Sequence, residues 1–439
     1  MLAMKSLKTN AWRRQLHIGV SSSKAGAKMG WSWALNQMKS ESKRDDDAMS
    51  QHLADLVSDL GELKGSVVKV GQLLAVFGDA LLPQSVLDAL RAFEENSEPL
   101  AFDVIQGALV NYPKLLTLDI DSTSVGAGSL AQVHRAMDPN SGQTLCLKIQ
   151  YPGVADAIES DLNGLASLFR WLQWKSHTAF KSWLSDTHAL LRMECDFTHE
   201  AAMMAQFSNH LFDDDRFVVP TLFEDLSSQE ILVTSFESGV APDHESIANL
   251  SQGRRNALGK ALFDLFLLEL FSLGILQTDP NFGNYRIRLN QNQDQWVLLD
   301  FGAVMAFDAD FLLAVKALIS ASLENDEPGI RQGAIELGVM QKDFPESVQA
   351  AFADLCRLLM EPFLNNNPDA LNAEGQYCWH LSYLPKRAAK LVASNALSQY
   401  FVTPSCEFTL FCRKLLGVYR LLSQLNAEFT PKNLQLLRS

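Results

Sequence analysis

Metal-cluster spacing, a bilayer-length apolar run and an excess of positive charge are all missing from this sequence. Six cysteines are scattered without a CxxC pair or other metal-type spacing, which excludes zinc ribbons and iron–sulfur cradles. They read as free thiols in a reducing, cytoplasmic compartment. A bilayer span needs ~20 clean apolar residues. The best candidate, Ala261 to Leu276, is interrupted by Asp264 and Glu269, and reads as a buried core helix. The basic start is not followed by an uninterrupted apolar segment, so no signal peptide is expected. Lys and Arg number 37 against 51 Asp and Glu, a net charge of −14, which argues against nucleic-acid partners. Much of the scarce basic charge sits early: Lys5, Lys8, Arg13, Arg14, Lys24, Lys28, Lys39, Lys43 and Arg44 precede residue 45, with Glu41 as their acidic counterweight. Together with Trp12, Trp31 and Trp33, this arm suits either peripheral contact with an anionic membrane surface or a solvated tail.

What remains is an ordinary globular composition, 47% hydrophobic and 20% charged, with length for about two to three domains. From Ala48 to Leu115 apolar residues recur at helical spacing. Within that stretch, Lys69 and Gln72 share a helix face, and Gly71 costs about 1 kcal/mol relative to Ala. On composition alone these are solvent-facing.

From Leu118 the period changes to three short strands, the first two separated by Gly126-Ala127-Gly128-Ser129-Leu130-Ala131. Such a loop lets backbone amides approach phosphate oxygens and tolerates positive φ, although a plain hairpin has the same form. Lys148 lies between Leu147 and Ile149 in the third strand, where an ammonium is costly unless it meets an anion or solvent. Helical spacing then returns, carrying Glu194, Asp196 and Glu200. The segment RFVVPTLFEDLSSQEILVTSFESG predicts two more strands, completing a five-stranded sheet, and Thr234 to Gly239 reads as a hinge.

The most informative stretch is QTDPNFGNY followed by LLDFGA. Asp279 is followed five positions later by Asn284, and a strand-like run ends at Asp300-Phe301-Gly302. That grammar suits phosphoryl transfer: Asp279 orients a hydroxyl or water, while Asn284 and Asp300 hold magnesium. The remainder reads as helix, with Pro345, Pro362 and Pro368 near breaks.

In this order the motifs resemble the UbiB/AarF family of atypical protein-kinase-like proteins. Lys69-Val70-Gly71-Gln72 is similar to that family's KxGQ signature, Lys148 to Val154 to its third-strand run, Glu194-Cys195-Asp196 to its ExD motif, and Gln277 to Asn284 to its TDPNxxN loop. The resemblance implies an α+β, bilobal kinase-like fold. It comprises an arm at 1–44, a helical extension at 45–116, a small-sheet lobe with a helical insertion at 117–238, and a helical lobe at 239–439. It further implies that Lys69, Gly71 and Gln72 fold across the site near Glu194 and Asp196. Lys148, paired with Glu200, would bind ATP with Gly126, Ala127, Gly128 and Ser129. ATP and Mg2+ are the implied cofactors, and a membrane lipid or isoprenoid precursor of ubiquinone metabolism the implied partner. Gly126 and Gly128 depart from the family's Ala- and Ser-rich loop. Two rivals stand beside this reading: a nucleotide-gated lipid-binding or scaffold protein, and a small-molecule kinase. The latter fits less well, because Gln277 stands where such kinases place a His.

Overall fold

The computed structural model describes residues 99–155, 177–396 and 404–431. The chain divides into two compact units, Met1–Trp174 and Lys175–Ser439. The arm at 1–44 and the Lys69, Gly71 and Gln72 motif lie outside the described residues.

In the first unit, helix α1 (Phe102–Leu109) buries Ile105 and Leu109. Strands β1 (Asp119–Ala127), β2 (Ala131–Met137) and β3 (Thr144–Gln150) follow as an antiparallel meander. β3 alternates as a half-buried strand should: Leu145, Leu147 and Ile149 are buried, whereas Thr144, Cys146 and Lys148 are partly exposed. The stretch before α1 is tied to β2 by the buried Gln132 amide, which accepts from Leu100 N at 2.8 Å and donates to Leu100 O at 3.3 Å.

The second unit opens with α2 (His177–Glu194) and α3 (Phe197–His210), so a helical segment does intervene between Lys148 and Glu200. Strand β4 (Phe217–Val218) follows, then β5 (Ile231–Ser235). Here one expectation is corrected in part. Antiparallel pairing about the turn is made by Thr221, Leu222 and Phe223 with Ser235, Thr234 and Val233, whereas Phe217 and Val218 pair in parallel with Trp296 and Val297. Pro220, which has no N–H to give, stops the run two residues later. The predicted hinge is pinned, with Glu237 accepting from Ser235 Oγ at 2.6 Å and from Arg288.

Next come α4 (Glu245–Ala248) and α5 (Gln252–Leu268). The second half of α5 is buried nearly all round, from Leu258 to Leu267, which explains its apolar run. Among the described residues no helix is long and apolar enough to cross a membrane. A five-residue π-helical turn, Glu269–Leu273, ends at Gly274, whose φ of 64° reverses the chain into β6 (Ile275–Gln277). Strands β7 (Tyr285–Arg288) and β8 (Gln295–Leu298) form an antiparallel hairpin, and β9 (Val304–Ala306) pairs with β6.

Helices α6 (Ala309–Leu323), α7 (Glu327–Glu336), α8 (Glu346–Leu359), α9 (Glu361–Leu364), α10 (Leu384–Ala396) and α11 (Cys406–Gln424) complete the unit. Their core is aromatic: Phe263 packs within about 6 Å of Phe363, Trp379 and Phe429. The six cysteines are thiols rather than disulfides. Burial pushes the Cys195 and Cys412 thiols up to about 12, with Glu194 adding to the effect at Cys195.

Candidate active site

In the first unit, the glycine loop is a tight hairpin. Gly128 N donates to Ala131 O at 2.8 Å, and Tyr151, just beyond β3, holds the loop from the other side. Its N–H donates to Leu130 O at 3.0 Å and its hydroxyl to Gly128 O at 3.2 Å. Neither Gly126 nor Gly128 has positive φ. A Cβ added at either would meet its nearest neighbour at 4.0 and 3.6 Å, ordinary contact. The tolerance of positive φ that glycine brings is not used at these two positions. Gly126 pairs with Val133 and Val133 with Lys148, so the loop's first glycine and the lysine occupy one cross-strand row.

The second unit brings Glu200, Asp279, Asn284 and Asp300 into one neighbourhood. β6 ends at Gln277, which pairs with Val304 of β9. Thr278 then ties the loop to the segment after Asp300: its N–H donates to Ala303 O at 3.0 Å and its hydroxyl to the same oxygen at 2.8 Å. The Gln277 side chain reaches both motifs, accepting from Asp279 N at 3.0 Å and lying 3.5 Å from Asp300 O. It thus does work that the sequence reading noted only as a missing His.

Asp279 is largely buried. Its main-chain oxygen accepts from Asn284 Nδ2 at 3.0 Å, so the Asn284 amide keeps Oδ1 as its oxygen donor. Asn281 caps the short 3-10 turn Phe282–Asn284 through Gly283 N. Leu299 N donates to Asn284 O at 3.0 Å, which sets Asp300 beside the turn. The Asp300 Oδ1 accepts from Gly302 N at 2.9 Å.

Phe301, fully buried, meets Phe207 of α3 with ring centroids 5.1 Å apart. Two turns of α3 away, Glu200 is 1% exposed. Its Oε2 would stand 3.1 Å from a Cβ placed on Gly302, and Asp300 Oδ1 3.5 Å from the same point. His199 Nε2 donates to Val304 O at 3.1 Å. Asp196 is the N-cap of α3, accepting from Thr198 N at 3.0 Å and Thr198 Oγ1 at 2.6 Å; a carboxylate there satisfies helix donors and suits the helix dipole.

Several residues in this neighbourhood escaped the sequence reading, and most come from α11. Arg413 Nη2 donates to Asp279 Oδ1 at 2.7 Å, both side chains being largely buried. Lys414 Nζ lies 3.2 Å from Glu269 Oε2. Gly417 allows close approach: a Cβ there would meet Pro280 Cβ and Cγ at 2.2 Å. Arg420 covers the Phe282 ring at 5.3 Å. Positions 413, 417 and 420 fall on one helix face, and that face lies along Asp279, Pro280 and Phe282.

The donor set suits a hard cation. Asp300 and Asn284 offer carboxylate and amide oxygens, as magnesium prefers, with the balance of its shell normally water and phosphate. Among the described residues no group of three or more His, Cys, Asp and Glu could hold a metal ion by itself.

The ABC1 atypical kinase-like domain matches residues 91–334, more than half of the chain. The chain belongs to that family. It is 27% identical over 399 residues to the probable serine/threonine-protein kinase abkA of Dictyostelium discoideum, covering 87% of this chain and 69% of that protein. Over 382 residues it is 27% identical to the mitochondrial atypical kinase COQ8 of Schizosaccharomyces pombe, covering 84% of this chain but 61% of the relative. Thus the chain spans roughly two thirds of the length of these curated relatives. Among solved structures, Rv3197 of Mycobacterium tuberculosis in its complex with erythromycin is similar with a TM-score of 0.56 and 23% identity, covering 88% of this chain and 95% of that one. That likeness supports the kinase-like fold of this ABC1-family chain.

Proposed function

We propose that this ABC1-family chain is an atypical kinase-like phosphotransferase or ATPase that uses MgATP and supports ubiquinone or another isoprenoid-lipid pathway at a membrane surface. The observation that carries the proposal is the joint fixing of Asp279, Asn284 and Asp300. One glutamine, one threonine and two main-chain bonds tie the loop bearing the first two to the segment bearing the third.

In this reading Asn284 and Asp300 hold magnesium, which when bound neutralises charge on the transferred phosphoryl group. Asp279 orients the attacking hydroxyl or water, its carboxylate aimed by Arg413 and its main chain by Gln277 and Asn284. Lys148 engages the nucleotide phosphates together with the Gly126 to Ser129 loop. Most of the rate then comes from electrostatic stabilisation by groups already in place. Phosphate release by the purified protein, with and without anionic liposomes, tests the proposal. Asp279→Asn or Asp300→Asn with unimpaired turnover would sink it.

One observation favours the second reading, a nucleotide-gated lipid-binding protein with little turnover. Asp279 is ion-paired to Arg413, and a carboxylate holding a guanidinium is a poorer proton acceptor. Nucleotide binding without phosphate release, even with membranes present, would select that reading. For the basic arm at 1–44, liposome flotation unchanged by its deletion would remove it from the proposal.

A further inference from the structure

Two charged groups that the proposed chemistry does not use are buried as deeply as Glu200 and more deeply than Asp279. Lys414 and Glu269 are each 1% exposed, and Nζ of the first stands 3.2 Å from Oε2 of the second. The Tyr285 hydroxyl is 3.4 Å from the same ammonium. A buried ion pair is a poor filling for a core, since an apolar pair of similar volume often serves stability as well or better. A role other than packing is therefore called for, and the hydrogen bonds supply one. Glu269 Oε2 accepts from the main-chain N–H of Gln277 at 3.1 Å. Gln277 Oε1 in turn accepts from the main-chain N–H of Asp279 at 3.0 Å. The line runs from ammonium to carboxylate to the backbone of the loop, and two steps later reaches the residue proposed to orient the attacking group.

The local backbone is built for this contact. Glu269 opens the π-helical turn that interrupts the end of α5, and Gly274 closes it in a left-handed conformation. π-turns inserted in α-helices are rare and recur at functional sites. Here the turn and the chain reversal bring Glu269 back against Gln277, eight residues later. On α11 the neighbouring residue Arg413 meets the Asp279 side chain, so consecutive residues of one helix address the loop from two sides.

We propose that Lys414 and Glu269 are positioning residues for the catalytic loop. The ammonium fixes the Glu269 carboxylate, which holds the Gln277 backbone and, through the Gln277 side chain, the backbone of Asp279. This rests on the phosphoryl-transfer reading of the site. Burial alone would lower the Lys414 pKa, but Glu269 and Tyr285 beside it outweigh that and hold it above the ordinary lysine value. Burial pushes the Glu269 carboxyl up, against the opposing pull of Lys414 and the Gln277 N–H.

The decisive comparison is between two double variants. Lys414→Met alone strands a buried carboxylate, which is strongly destabilising, so it is paired with Glu269→Gln in one variant and Glu269→Leu in the other. Both pairs remove the unpaired charge; only Gln keeps an oxygen to accept from Gln277 N. Expected is partial rescue by the Gln pair, which keeps the acceptor but has lost the ammonium that fixes it, with kcat about tenfold below wild type. The Leu pair should fall by about 10²-fold, the scale of a misplaced reacting group, with the KM for MgATP moved less than threefold. Hydrogen exchange of the peptide spanning 275–281 should show protection kept in the Gln pair and lost in the Leu pair. Equal turnover in the two folded variants, or equal protection, overturns the proposal. Should wild-type protein release no phosphate, the phosphoryl-transfer reading fails by itself, and the exchange comparison still decides whether Glu269 holds the loop.

Discussion

The glycine hairpin of the first unit and the Asp279 loop of the second, proposed to be catalytic, are held in place by different means. Gly128 is fixed by Ala131 and Tyr151, all within one meander, and neither glycine in that hairpin needs its missing side chain for backbone reasons. Asp279 is fixed by Asn284 and Gln277 nearby, but also by Arg413, while Pro280 is wedged against Gly417. The bonds that hold the hairpin come from residues close to it in sequence. Distant bonds set the catalytic loop before anything binds, and pre-organisation of that kind is what electrostatic catalysis requires.

The sharpest way to break this contrast is at the acids themselves. Asp300→Asn, or Asp279→Asn, should cut phosphate release by about 10²–10³-fold in a folded protein; turnover near wild type would mean that the braced loop serves something other than transfer. Next in size is Gly417→Ala. Its Cβ would overlap Pro280, so the helix or the loop must shift, and overpacking of this kind costs about 1–3 kcal/mol. A lowered Tm together with reduced kcat is expected, and an unchanged kcat would show that the loop tolerates displacement.

A smaller effect belongs to Glu361, in a network outside both regions. Burial works to raise its pKa, but hydrogen bonds from Arg387, Asn367 and Tyr377 prevail and hold it below the ordinary glutamate value. A carboxyl depressed on folding contributes stability above its unfolded pKa and loses it as pH falls through the folded one. Glu361→Gln should therefore flatten the loss of stability in acid, measured by denaturant unfolding across that range, while neutral-pH turnover stays as it was. The smallest effect is expected at Gly128→Ala: stability within about 0.5 kcal/mol of wild type, because the added methyl meets Ala131 O at ordinary distance. A large loss of stability there would mean that the hairpin is braced after all.

The same division governs how much could be read from the sequence. Asp279, Asn284 and Asp300 were legible because their spacing along one hairpin is itself the signal. Lys148 was legible because a charge amid apolar strand residues has a cost that demands a reason. That argument applied equally to Glu269, which was noted only as an interruption of an apolar run, and to Lys414 within FTLFCRKLLGVYRLL. What hid them was separation: neither has a meaningful neighbour in sequence, and each acquires one only when α11 lies against the π-turn. Phe217 and Val218 misled for a related reason. Their strand character was correctly read, but the partner strand, β8, lies some eighty residues away, and pattern alone does not name partners. Asp196 carries two meanings at once, motif member and helix N-cap, and only the second is visible in its bonds.

The placement of Arg413 and Lys414 on the last described helix has a consequence for the chain as it is made. Synthesis proceeds from the amino end at about 5–20 residues per second, so the loop at 277–284 emerges long before its brace. Until α11 has been made, Glu269 has no ammonium to face and Asp279 no guanidinium. A nascent chain would thus carry every residue of the transfer motif and still lack a set loop. Activity, on this account, arrives late and all at once.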